Sequence, residues 1–333
     1  MKTRLLSPHG PRVSSIGLGC MAMSGRNGLA DKKESIATIH AAIDAGITLL
    51  DTGDFYSLGH NELLIREALQ KHRRKDILLS VKFGELRDPL GRWNGLDARP
   101  KAVKNFLTYS LSRLGTDYID IYRPARLDPA VPIEDTVGAI ADMAKAGYVR
   151  YIGLSEVGVQ TLRRASSVHP IVDLQIEYSL ISRGIESQIL PVCRELGIGI
   201  TAYGVLSRGL ISGHWTADRS LQGDSRSRSP RFAVENLPHN LSLVEKLRKV
   251  AEGKGTTVAQ LAIAWVANKG DDIMPLIGAR RRNQLHEALG ALDVSLTDDD
   301  LARIENAVPK DSAAGDRYPP QMMVHLDSER HDG

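Results

Sequence analysis

The chain has 333 residues, 42% hydrophobic and 25% charged, enough apolar side chain for a full core. Its formal charge of +3 is small for that length and the two signs are interspersed, which excludes nucleic acid or an anionic membrane surface as the main partner. Two distant cysteines, Cys20 and Cys193, form neither a metal motif nor a disulfide framework, and no run reaches the roughly 18 apolar residues that span a bilayer. The N-terminus lacks an apolar leader, so the expectation is a soluble cytoplasmic protein without a membrane partner.

The turn cluster Pro8-His9-Gly10-Pro11 predicts a small N-terminal hairpin over residues 3 to 15, and Ile16 to Gly19 a first strand. Ile36, Ile39, Ala42 and Ile43 then share one face of a helix over 32 to 45, followed by a strand over 47 to 51. Helices over 62 to 70 and 100 to 114 lead to strands over 77 to 82 and 118 to 122. The second half repeats the scheme. Val137, Ile140, Met143 and Ala144 mark a helix before the strand Val149 to Leu154. Val159, Leu162 and Ala165 mark the next, before Val172 to Ile176, and Ile189, Leu190, Cys193 and Leu196 another, before Ile198 to Ala202. Val258, Leu261, Ala262, Trp265 and Val266 fit a helix capped by Thr256 or Thr257; Asp272 to Ile277 is the eighth strand, and a helix from about 281 follows. Eight strands alternating with helices predict an α/β fold, a (β/α)8 TIM barrel, in one domain spanning 1–333 with long loops at the C-terminal mouth. Two segments stand outside the alternation: a Ser-, Arg- and Gly-rich connection over about 204–240, expected as a cofactor or substrate loop, and a tail over about 309–333.

Chemistry-bearing residues cluster at strand ends. Asp51 closes the apolar run Ile47-Thr48-Leu49-Leu50, Lys82 closes Ile77-Leu78-Leu79-Ser80-Val81, and Tyr56 follows Asp51 on the adjoining loop. In barrels of this kind the C-terminal strand ends gather catalytic residues. Each residue alone reads as easily as a turn cap, a solvated lysine or a loop aromatic; the three together at successive strand ends point to a site.

D-T-x-D-x-Y followed about 25 residues later by a strand-terminal lysine resembles the active-site signature of the aldo-keto reductases. The resemblance runs from Gly17 to about Asp300. It implies reduction of an aldehyde or ketone, a small-molecule carbonyl substrate, with hydride from NADPH. Tyr56 becomes the general acid, Lys82 the cation that lowers its pKa from about 10, and Asp51 the group that orients Lys82. It also implies a histidine at the end of the fourth strand, where Tyr122, Arg126 and Asp128 match but Ala125 occupies the position. Removing such a donor costs on the order of a hundred- to thousandfold in turnover unless another group replaces it. Arg123, of the same strand parity, and Trp93, on the loop after the third strand, are the candidate pocket residues beside Ala125. Pyridoxal reductase-like members of the family share this alanine, which makes an aromatic aldehyde the expected substrate.

No G-x-G-x-x-G follows the first strand, so the resemblance rather than a Rossmann motif implies NADPH/NADP+. It places Cys20 and Met21 after the first strand at the cofactor, Ser155 and Gln175 on the nicotinamide carboxamide, and Tyr203 against the nicotinamide ring. Gly204, Leu206, Ser207 and Gly209 parallel the family's pyrophosphate loop. Gly278, Arg280, Gln284 and Glu287, where a strand meets a helix, resemble the 2′-phosphate and adenine site.

Two other readings stay open: an NADPH-binding regulatory or sensor protein like the channel-associated β subunits, and an aldolase-type barrel using Lys82 as a Schiff-base amine. The histidines show no metal-ligand spacing, so no metal is expected, and the sequence leaves the oligomeric state unassigned.

Overall fold

The expected alternation of strand and helix closes on itself. The computed structural model describes residues 1–24, 30–216 and 218–330; Ala217 of the 204–240 loop and residues 331–333 of the tail lie outside them. An antiparallel hairpin comes first, β1 (Thr3–Leu5) and β2 (Arg12–Ser14), with Leu5 opposite Arg12. The strands that follow are β3 (Gly17–Gly19), β4 (Leu49–Gly53), β5 (Leu78–Phe83), β6 (Glu85–Arg87), β7 (Trp93–Leu96) and β8 (Ile119–Pro124). After them come β9 (Val149–Ser155), β10 (Ile171–Glu177), β11 (Gly199–Tyr203) and β12 (Ile273–Gly278). Except for the first hairpin and the small antiparallel pair β6 and β7, all are parallel and form one closed barrel, in which β12 returns to β3 through Leu276 opposite Gly17.

The helices α1 (Lys32–Asp44), α2 (His60–Leu69), α3 (Pro100–Leu114), α4 (Ile133–Lys145), α5 (Val159–Val168) and α6 (Ile189–Leu196) link successive barrel strands. Two helices, α7 (Leu237–Gly253) and α8 (Val258–Asn268), precede β12; α9 (Arg282–Leu289), α10 (Asp298–Ala307) and the single turn α11 (Pro320–Met323) follow it. Local signals explain the ends. Pro100 opens α3 and Gly115, left-handed at φ 65°, closes it; Thr257 and Gln260 form a reciprocal capping box on α8. Helix α7 is an addition to the expected elements. Its buried Leu243, Val244, Leu247, Val250 and Ala251 do carry helical spacing, beside a long polar connection that hides it. Trp93, expected on a loop, opens strand β7. Strand β4 begins and ends two residues later than expected, so Asp51 lies inside the strand rather than at its end.

Alternation along each strand sends one parity to the barrel axis. At the bottom Leu6 and Val13 from the hairpin segment pack with Leu49, Ile121, Val172, Met274 and Leu276. Glycine is obligatory where this plug meets β11, because a Cβ on Gly199 would lie 1.9 Å from the Leu6 carbonyl oxygen. Above the plug the interior turns polar, through Ser80, Arg123, Asp173 and Thr201 to Asp51, Lys82 and Gln175, all buried. The opposite parity (Leu50, Leu79, Val81, Tyr122, Leu154 and Leu174 among others) packs under the helices.

Candidate active site

Asp51 on β4 and Lys82 on β5 face each other inside the barrel as an ion pair, Lys82 Nζ donating to Asp51 Oδ1. The other carboxylate oxygen accepts from Ser80 Oγ at 2.8 Å and from Gln175 Nε2 at 2.7 Å. Burial pulls the Lys82 ammonium below its ordinary pKa; Asp51 opposes that, and the cations of Arg123 and Arg126 reinforce it. Its Nζ lies 5.1 Å from the centroid of the Tyr56 ring. Tyr56 is half-buried on the turn into α2, where Ser57, Leu58 and Gly59 run left-handed in succession, at φ 49°, 56° and 88°. The last is glycine for two reasons, its dihedral and a Cβ that would meet Arg113 at 2.7 Å. Asp54 of the same motif is buried with neither carboxylate oxygen accepting from a side chain among the described residues, and burial, then Glu62, push its carboxyl well above the usual range.

The residues expected around the substrate part company. Ala125 is fully buried at the end of β8, its N–H donating to the Phe83 carbonyl at 2.8 Å. Arg123 is on the inward face, as its parity requires, but it turns down the barrel to Asp173 and Ser80 and is wholly inaccessible, so it forms support rather than pocket wall. Trp93 is 46% exposed and its ring lies 4.7 Å from that of His325, which the tail brings back to the mouth. Arg126 was singled out only as a flanking match. It is half-buried beside Ala125, donates to the Ala125 carbonyl at 2.6 Å and lies in the field of Tyr203, Tyr318 and Glu156.

Among the residues expected at a cofactor, Ser155 at the end of β9 is buried and its Oγ has no hydrogen-bond partner among the described residues. Gln175 spends one N–H on Asp51 and keeps a carbonyl oxygen and a second N–H to offer. Cys20 donates its N–H to the Asp51 carbonyl at 2.9 Å, its thiol raised by burial, and Met21 opens the turn Met21–Ser24. Beyond β11, Gly204 at φ 67° has no room for a Cβ against Glu177. Leu206 is half-buried, Ser207 Oγ accepts from Arg231 at 3.2 Å, and Gly209 is left-handed at φ 93°. Gly278 is exposed at the end of β12; Arg280 donates its N–H to Gln284 Oε1 at 3.2 Å. Burial and the like charges of Arg281, Arg226 and Arg219 pull Arg280 below an ordinary guanidinium, the signature of a crowded cationic patch suited to a phosphate. Glu287 pairs with His214 at 2.9 Å. The left-handed glycine loop and the cationic helix start have the chemistry of a dinucleotide's phosphates, and the buried Ser155 hydroxyl that of a partner for its carboxamide.

The loop and the tail converge on the rim in a way the sequence did not announce. Glu156, left-handed at φ 54°, accepts two hydrogen bonds from Arg317 (2.8 and 2.6 Å), one from Ser328 (2.7 Å) and one from Tyr203 (2.6 Å). Burial alone would raise its pKa; Arg317, Arg126 and Tyr203 hold it down at about 2. Arg231 from the loop reaches Glu177 at 3.4 Å and the Ile181 carbonyl at 2.6 Å, and Tyr318 meets Tyr203 at 3.0 Å, hydroxyl to hydroxyl. Arginine-rich composition reads as solvated surface, and only a 161-residue separation in sequence links Glu156 to Arg317, so periodicity carries no signal for the contact.

The model of the aldo/keto reductase family matches residues 15–309. The chain is 40% identical over 314 residues to a probable aldo-keto reductase 1 of Glycine max, covering 94% of this chain and 90% of that protein. It is 39% identical over 313 residues to the aldo-keto reductase yakc [NADP(+)] of Schizosaccharomyces pombe, covering 92% of each. Among solved structures, the glycerol dehydrogenase AKR11B4 of Gluconobacter oxydans superposes with a TM-score of 0.83 at 26% identity, covering 99% of this chain and 98% of that one.

Proposed function

The chain belongs to the aldo/keto reductase family, and on that premise we propose that it reduces an aldehyde to an alcohol with NADPH, through Tyr56, Lys82 and Asp51. The observation that carries this reading is the buried Lys82–Asp51 pair beneath the Tyr56 ring. A reduced nicotinamide supplies the hydride when bound. Tyr56 delivers the proton to the carbonyl oxygen. Its hydroxyl is a weak acid at an ordinary pKa of about 10, and the Lys82 ammonium stabilises the phenolate left behind. Asp51, held by Ser80 and Gln175 as well as by Lys82, keeps that ammonium in place. Ser155 and Gln175 would hold the carboxamide, and Arg280 with the start of α9 the 2′-phosphate.

Ala125 offers no donor to the substrate oxygen. Arg126, next in the chain, presents a guanidinium at the same strand end with donors beyond the one given to Ala125. We assign it the substitute role, with Trp93 and His325 shaping a site for a flat aromatic aldehyde such as pyridoxal. The test follows oxidation of NADPH with pyridoxal, benzaldehyde and acetone. Aldehyde-dependent turnover that falls about 10²- to 10⁴-fold in Tyr56→Phe and markedly in Arg126→Met, with NADPH still bound, is the expected result. Tight NADPH binding with no turnover on any carbonyl would favour the binding-only, sensor reading that the bare Ala125 position keeps alive. No binding of NADPH would sink both.

A further inference from the structure

The barrel interior holds a second ion pair that the reaction above leaves unused. Arg123, fully buried, donates to Asp173 Oδ2 at 2.9 Å and, through its other terminal nitrogen, to Ser80 Oγ at 2.9 Å. Asp173 Oδ2 also accepts from Thr201 at 2.6 Å. A guanidinium can only donate, so Ser80 must accept from Arg123, and its single proton is left for Asp51 Oδ2 at 2.8 Å. The hydrogen bonds therefore have one direction, from Arg123 through Ser80 to Asp51.

Fold stability does not account for this pair. Buried ion pairs lose their hydration, and well-packed apolar residues of similar volume often serve as well or better; barrel interiors are ordinarily layers of branched aliphatics. The surroundings are nevertheless shaped to it. A Cβ on Gly153 would lie 2.4 Å from Asp173 Oδ1 and 3.2 Å from Arg123 Cζ, so glycine there makes the room. The guanidinium rather than the carboxylate touches Ser80, which turns the positive end of the pair toward Asp51 and Lys82. The other ionisable groups facing that centre are Cys20, with a thiol that burial keeps protonated, and Arg126.

We propose that Arg123 is a positioning residue for the proton donor: through Ser80 it holds Asp51 in place as the acceptor of Lys82 and turns the positive end of its own ion pair toward Lys82, which eases ionisation of Tyr56. This rests on Tyr56 being the proton donor. Breaking the Ser80 link, or removing the pair whose positive end faces Lys82, withdraws that support from the phenolate, so the ionisation pH of Tyr56 rises.

The experiment reads the phenol directly. Tyrosinate absorbance is titrated in the full-length protein and in its Tyr56→Phe partner, and the difference isolates Tyr56. Ser80→Ala and the charge-free pair Arg123→Gln with Asp173→Asn are each expected to move that ionisation upward by about one pH unit. Ser80→Ala removes only a hydroxyl, so it decides the matter if the double variant does not fold. An ionisation pH unmoved or lowered in the folded variants overturns the proposal and leaves Arg123 a packing residue. Turnover plays no part in this readout, so absence of carbonyl reduction in the parent protein would sink the reductase reading while the titration still decides the relay.

Discussion

Two buried charge clusters share β10, through Asp173 in the interior and Glu177 at the rim, and they are built on opposite terms. The rim cluster is overcompensated: Glu156 collects donors from Arg317, Ser328 and Tyr203 until its carboxyl is held at about 2, and Arg317 is pushed well above an ordinary guanidinium. The interior cluster is undercompensated. Burial outweighs Asp51 at Lys82, whose ammonium is lowered, and outweighs Arg123 at Asp173, whose carboxyl is raised. Both are ion pairs out of water, and the difference lies in what each has to do. A clamp gains from the deepest possible pairing, whereas a group that must stabilise a transient phenolate gains from staying only partly neutralised.

The sharpest way to break the interior cluster is Lys82→Met. It removes the cation from the phenol and leaves Asp51 buried against Ser80 and Gln175 alone. Turnover is expected to fall about 10²- to 10⁴-fold, with NADPH binding retained because Lys82 is not among the groups assigned to the cofactor. Single-turnover kinetics with saturating NADPH measure it, and a loss below tenfold would put the proton donor elsewhere.

Arg317→Ala tests the clamp. It strands Glu156 in a buried site, for which a cost of about 3–5 kcal/mol is expected as a lowered Tm. If the tail from Arg317 to Arg330 is held chiefly by this contact, limited proteolysis will cut it before the barrel unfolds. Asp327, which accepts from the Gly158 N–H at 2.8 Å and Thr161 at 2.7 Å, is the rival anchor. Protection equal to the parent protein's would assign the hold to it.

Acid should release the same clamp. The folded pKa of Glu156 lies below its ordinary 4.5, at about 2, so its contribution is complete above pH 4.5 and disappears as pH falls through 2. Integrated over that window it is about 3 kcal/mol. A Glu156→Gln variant, destabilised at neutral pH, should lose less further stability than the parent between those limits in denaturant titrations.

The barrel and its site were unevenly legible in the sequence. Strand parity and helical spacing exposed the alternation, and the motif around Asp51 and Tyr56 exposed the resemblance, because both are local patterns. Arg123 shows where locality ends. Its parity puts it on the inward face, yet whether an inward arginine rises to the mouth or turns down depends on Asp173 on a strand 50 residues later. One clue was available: an arginine and an aspartate at inward positions of otherwise apolar strands, with no water to receive either, require each other. For Arg231 and Arg317 there was none, since each lies in a segment without periodicity and finds its carboxylate only after the barrel has formed.

The smallest effect expected here runs opposite in sign. Asp54 belongs to neither cluster: its oxygens are buried without hydrogen bonds from side chains among the described residues, and burial, then Glu62 and Glu85 against Arg113, push its carboxyl well above 3.8. A raised folded pKa contributes stability only below the ordinary value and costs it as pH climbs through the folded one. Asp54→Asn replaces the ionising group with a neutral one of the same shape and should stabilise the protein at neutral pH by about 1 kcal/mol. Comparing Tm values of the two proteins at pH 7 and near pH 3.5 checks the cause as well as the size. If the gain persists where the parent carboxyl is mostly protonated in both folded and unfolded chains, it comes from hydrogen bonding by the new amide. If it vanishes there, an undercompensated buried carboxyl two residues from the proton donor is the source, and partial pairing is then a property of the whole segment from Asp51 to Tyr56.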